Sequence, residues 1–162
     1  MTKLNKLHEM GQSVWFDFIR RSLITSGQLK DLVDQGVKGV TSNPAIFEKA
    51  IAGSNDYDED LKHLIKTDQS VDQIYEALAF EDITLAADVL KPVYASTNTK
   101  DGYVSLEVNP KLAYDTEQTI SEAIRLFETV NRPNLMIKVP ATPAGMPAIT
   151  ELIGCGVNVN VT

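Results

Sequence analysis

A lysine inside an apolar run needs an explanation, because long charged side chains are rarely buried without a partner. Lys138 occupies such a place, in Leu135-Met136-Ile137-Lys138-Val139. The neutral amine of a lysine attacks carbonyls and forms imines. Glu107, near the end of Tyr103-Val104-Ser105-Leu106-Glu107-Val108, is an acid able to move protons in such a reaction. Other polar groups stand in comparable places. Asp17 interrupts the aromatic run Ser13-Val14-Trp15-Phe16-Asp17-Phe18-Ile19, and Thr41, Ser42 and Asn43 close the next run. Asn160 and Thr162 alternate through Val157 to Thr162. Each also has a plainer reading: Asp17 can hold a nearby backbone group, Asn43 before Pro44 can cap a helix, and Glu107 and Lys138 can form a structural ion pair.

Converging these residues requires strands that end on one side. The runs Ser13–Ile19, Val37–Ser42, Tyr103–Val108, Leu135–Val139 and Val157–Thr162 read as five strands. Between them lie segments of helical period: Thr25–Gln35, ended by Gly36, then Pro44–Ala52 and Tyr57–Ile65. A further helix opens at a capping box of Ser70 and Gln73, and later helices run from Asp115 and from Ala144 to Ile153. Lys91–Gly102, with Pro92 and several small polar residues, reads as loop. Strands alternating with helices predict βα units around a mainly parallel sheet. In such folds active sites form at the C-terminal ends of the strands.

Composition narrows the classes. The formal net charge of -7 argues against a general affinity for nucleic acid or anionic membranes. No apolar run reaches the roughly 18 residues of a membrane helix. The first ten residues lack the apolar core of a secretory signal, which leads us to expect a cytoplasmic protein. Cys155 is the single cysteine and reads as a small packing residue between Gly154 and Gly156. His8 and His63 show no metal-ligand spacing. Neither a phosphate loop nor a dinucleotide-binding glycine fingerprint occurs.

The segments Gly11–Asp17, Gly39–Phe47, Gly102–Val108, Arg132–Thr142 and Val157–Thr162 together resemble transaldolases, in the right order along nearly the whole chain. The resemblance implies an α/β fold of the (β/α)8 TIM-barrel family and Schiff-base aldol chemistry that needs no metal or other cofactor. It implies that Lys138 is the Schiff-base lysine and Asp17 the acid or base that handles the hydroxyl proton in carbon–carbon cleavage. Glu107 would act through a water in imine formation and hydrolysis, and Thr162 would help hold that water. Asn43 and Asn160 would orient the substrate, and Thr41 and Ser42 join them as expected substrate-binding residues.

The implied reaction moves a dihydroxyacetone unit from fructose 6-phosphate or sedoheptulose 7-phosphate to an aldose phosphate, a step of the pentose phosphate pathway. The implied partners are therefore sugar phosphates. A complete barrel takes about 250 residues, so we expect residues 1–162 to form one partial barrel domain of about five strands, with a helical elaboration at about 53–102. The family's phosphate-binding arginine is assigned to no residue here; Arg125 and Arg132 read as serving a helix and its following turn. Open edges of the first and fifth strands are expected to pair with another copy or with the missing half of a barrel. Two alternatives stand beside this reading. One is a catalytically incomplete fragment or assembly module. The other is a related aldolase that releases free dihydroxyacetone, against which the Gln12–Asp17 motif and the Gly53–Gly102 region weigh.

Overall fold

A computed structural model describes residues 2–162. Five parallel strands form one sheet in sequence order: β1 (Trp15–Phe16), β2 (Gly39–Thr41), β3 (Tyr103–Glu107), β4 (Leu135–Val139) and β5 (Val159–Val161). This is an α/β fold, the first five strands of a barrel order. Helix α1 (Lys3–Glu9) precedes the sheet, and α2 (Arg21–Thr25) and α3 (Gln28–Gln35) join β1 to β2. The long crossover to β3 holds α4 (Pro44–Ala52), α5 (Asp58–Leu64) and α6 (Val71–Ser96). Helix α7 (Thr116–Val130) leads to β4, and α8 (Gly145–Gly154) leads to β5.

Side chains of a strand alternate between faces, and here the faces differ sharply. Val40, Val104, Leu106, Ile137 and Val139 point to the helices and are buried. They join Ile83, Ala86, Ala87 and Leu90 of α6, and Ala123, Leu126 and Val130 of α7, in the main core. The opposite face carries Thr41, Ser105, Glu107, Met136, Lys138 and Asn160, tied by the register. On that face Gly39 lies under the indole of Trp15, and a Cβ at position 39 would run into the ring.

Several local expectations meet their cause. Asn43 Oδ1 accepts from the Ile46 N–H and caps α4, with Pro44 at the first helical position. Ser70 and Gln73 form the reciprocal box that starts α6. Asp115 caps α7 through the Gln118 N–H. Helix α4 and strand β4 keep the bounds read from sequence.

Other expectations are corrected. The helix expected at Thr25–Gln35 begins only at Gln28, and Thr25 instead ends a separate helix that was not expected, because Ser26 ends α2 and Gly27 turns the chain with φ +86°. The loop expected from Lys91 is helix as far as Ser96. Proline lacks the N–H that would bond the carbonyl of residue 88, but Asp88 and Pro92 both face solvent, where water can take that carbonyl. Buried Leu90 and the edge-on contact of Tyr94 with Tyr103, 5.2 Å between centroids, hold the last turns on the sheet. Strand β1 is only Trp15–Phe16, far shorter than the apolar run. Cys155 is exposed rather than packed, because the buried stripe of α8 ends at Leu152 and the helix stops at Gly154.

Candidate active site

The C-terminal halves of β3, β4 and β5 set three polar residues side by side: Glu107 pairs in register with Lys138, and Lys138 with Asn160. The Lys138 Nζ donates to Glu107 Oε2 at 3.3 Å. Only 17% of the lysine side chain and 13% of the glutamate side chain is exposed. Asn160 Nδ2 donates to the Ser105 Oγ at 2.7 Å. The amine is thus flanked by a carboxylate on one strand and a fixed amide on the next. Such an arrangement suits a reaction in which an amine attacks a carbonyl and protons move beside it.

Ser105 is the partner that sequence reading missed. It is fully buried. The signal was its place two residues before Glu107, which puts it on the same face of the strand. Tyr75 of α6 is a second neighbour. It lines, with Glu107, Pro44, Phe80, Leu106 and Arg125, a cleft of about 340 Å³ between α6 and α7. Burial, and then the charges of Glu107 and Glu76, push its hydroxyl up to about 12.

The other expected site residues are placed as follows. Thr41 is half-buried in the register position next to Ser105. Ser42 is fully buried and spends its hydroxyl on the Ser105 carbonyl at 2.7 Å, so its side chain does not join the lysine group. Asn43 spends its side-chain oxygen on the cap of α4. Asp17 is exposed just beyond β1, and Thr162 is exposed just beyond β5, its N–H donating to the Val139 carbonyl at 3.1 Å. Arg125 bonds Glu76 and Glu122, and Arg132 bonds Asp88 through two nitrogens. Both arginines therefore serve helix surfaces.

A family model described as transaldolase/fructose-6-phosphate aldolase matches residues 14–162. The chain belongs to this family. It is 53% identical over 160 residues to a transaldolase of Trichodesmium erythraeum, a match covering 98% of this chain and 42% of the relative. A transaldolase 2 of Nostoc punctiforme is 52% identical over 160 residues, with the same coverage of 98% and 42%. A transaldolase 1 of Streptomyces avermitilis is 49% identical over 160 residues, again covering 98% and 42%. The chain therefore spans about two fifths of the length of these transaldolases. Among the described residues no helix is long and apolar enough to cross a membrane.

Proposed function

We propose that this chain carries the Schiff-base half of a transaldolase site and that Lys138 is its nucleophile. The observation that supports the reading most is the in-register row Glu107, Lys138, Asn160 at the strand ends. In the proposed cycle the Lys138 amine adds to the keto carbon of a ketose phosphate. Loss of water, with Glu107 moving the protons through a water held in part by Thr162, gives an iminium. Asp17 takes the proton of the C4 hydroxyl. The C3–C4 bond breaks, its electrons pass to the iminium, and an aldose phosphate leaves. The dihydroxyacetone unit stays on Lys138 as an enamine until a second aldose phosphate accepts it.

Asn43 and Asn160 orient the substrate in this reading, and Thr41 contributes its hydroxyl. Ser42 supports them through the backbone of β3, since its own hydroxyl is occupied. Residues 1–162 act as one partial barrel domain, with residues 53–102 as its helical elaboration. The remaining strands of an eight-stranded barrel pair with β1 and β5, and sugar phosphates enter at the strand ends from a cytoplasmic pool. The family description joins transfer with aldol release, so release of free dihydroxyacetone is the second reading.

The test is intact-mass analysis after incubation with fructose 6-phosphate and borohydride, which reduces an imine to a stable amine. A three-carbon adduct on the chain, absent from Lys138→Ala, is the expected result. A folded chain that gives no adduct at all overturns the proposal for this chain. Adding an aldose phosphate before the reductant separates the two activities: the adduct falls and a new ketose phosphate forms if the unit is transferred, whereas free dihydroxyacetone forms if it is released.

A further inference from the structure

The helix that follows the corner carrying Asp17 takes no cap from its own cap residue. Residues 17–20 connect β1 to α2, and the cap residue of α2, Arg20, makes no side-chain capping bond. The first turn of a helix exposes backbone N–H groups that need acceptors. Here the acceptors come from the segment between α4 and α5. The Arg21 N–H donates to the Tyr57 hydroxyl at 3.1 Å, and the Ser22 N–H donates to Asp56 Oδ2 at 3.0 Å.

The same tyrosine is locked from below. Its hydroxyl donates to Asp82 Oδ2 at 2.7 Å, and the other oxygen of Asp82 accepts from the Arg21 Nε. Tyr57 and Asp82 are both fully buried. Arg21 finishes its fork on Asp60 at 2.7 Å and Glu81 at 2.9 Å, and its guanidinium lies 5.5 Å from the centre of the Tyr57 ring. One hydroxyl thus joins the start of α2 to the middle of α6.

From this geometry we infer that Tyr57 is a positioning residue for Asp17, and that the α4–α5 elaboration sets the β1–α2 corner for the cleavage step. The inference rests on the proposed role of Asp17 in taking the C4 hydroxyl proton. Asp17 lies four residues before Arg21, with buried Ile19 between them. The cap therefore fixes one end of the corner and β1 fixes the other. Lys138 and Glu107 stand on β4 and β3, outside this corner. Loosening it affects carbon–carbon cleavage while leaving imine formation alone.

The experiment uses Tyr57→Phe, which keeps the ring and removes the hydroxyl. The chain is incubated with fructose 6-phosphate, quenched with borohydride at short times, and weighed. The ratio of six-carbon to three-carbon adduct on Lys138 reports cleavage relative to imine formation, and a smaller folded fraction does not move it. A rise of about tenfold or more in that ratio is expected, since small misplacements of reacting groups carry costs of this order. An unchanged ratio overturns the inference. If the unsubstituted chain gives no adduct, the proposed function fails for this chain, and amide exchange then decides the clamp alone. The Ser22 amide keeps its Asp56 acceptor in the variant, so roughly tenfold faster exchange there shows that the corner depends on Tyr57. Unchanged exchange at Ser22 shows that it does not.

Discussion

The Lys138 amine and the Glu107 carboxylate, 31 residues apart in the chain, face one another from neighbouring strands. Lys138 inside an apolar strand and Glu107 at a strand end were legible, because a charge in an apolar run has few structural uses, and the two meet at 3.3 Å. What each neighbouring hydroxyl or amide would bond was not legible, because an Asn or Ser can satisfy backbone or substrate equally well. Ser42 and Asn43 went to backbone groups, and Asn160 went to Ser105. Gly39 shows a constraint of another kind, since the Trp15 indole takes the space its side chain would fill. Gly39→Ala should destabilise the chain by about 2 kcal/mol through overpacking, read as a lowered urea midpoint. A combined Gly39→Ala and Trp15→Ala variant should lose less than the two single losses added. Strict additivity would show that the ring and the glycine do not constrain one another.

Elements followed their local signals where those signals were chemical. Caps at Asn43, Ser70 and Asp115 were readable because a short polar side chain three residues before a backbone donor has a specific task. Helix α6 outran its proline, since packing against the sheet holds its last turns and no local residue encodes that. Helix α2 depends on an acceptor from elsewhere, and this dependence is sensitive to pH. The Ser22 hydroxyl first, and then the Ser22 N–H and Arg20, outweigh burial and hold the Asp56 carboxyl below its usual range. A carboxyl lowered by folding contributes stability that is present above its unfolded pKa and is lost as pH falls through the lowered folded value. Asp56→Asn should therefore reduce the urea midpoint near about pH 6, and the difference from the unsubstituted chain should shrink below about pH 4. A difference that stays constant across that range would remove the charge of Asp56 from the account.

At the scale of the whole molecule, a parallel sheet was legible because strands and helices alternate along the chain and parallel strands need crossovers, while its sequential order followed from the resemblance to transaldolases. The contacts that cross it were not: Arg21 and Asp82 are 61 residues apart and share no local pattern. The sheet order predicts a gradient of protection. Strand β3 has a neighbour on each side and is covered by buried residues of α6 and α7, whereas β1 and β5 each pair on one side only. Amide exchange should be slowest at Leu106 and Ile137 and fastest at Phe16 and Val161, by at least about tenfold. Equal protection across the sheet would mean that the edges are covered in solution. The connection from Gly53 to Tyr57 has its own consequence. A short surface segment between two helices is ordinarily where a family gains and loses residues. Here two consecutive positions in it, Asp56 and Tyr57, each hold a specific backbone group of α2. One residue inserted or deleted just before them would shift both out of register with their donors, so this stretch is as fixed in length as a strand.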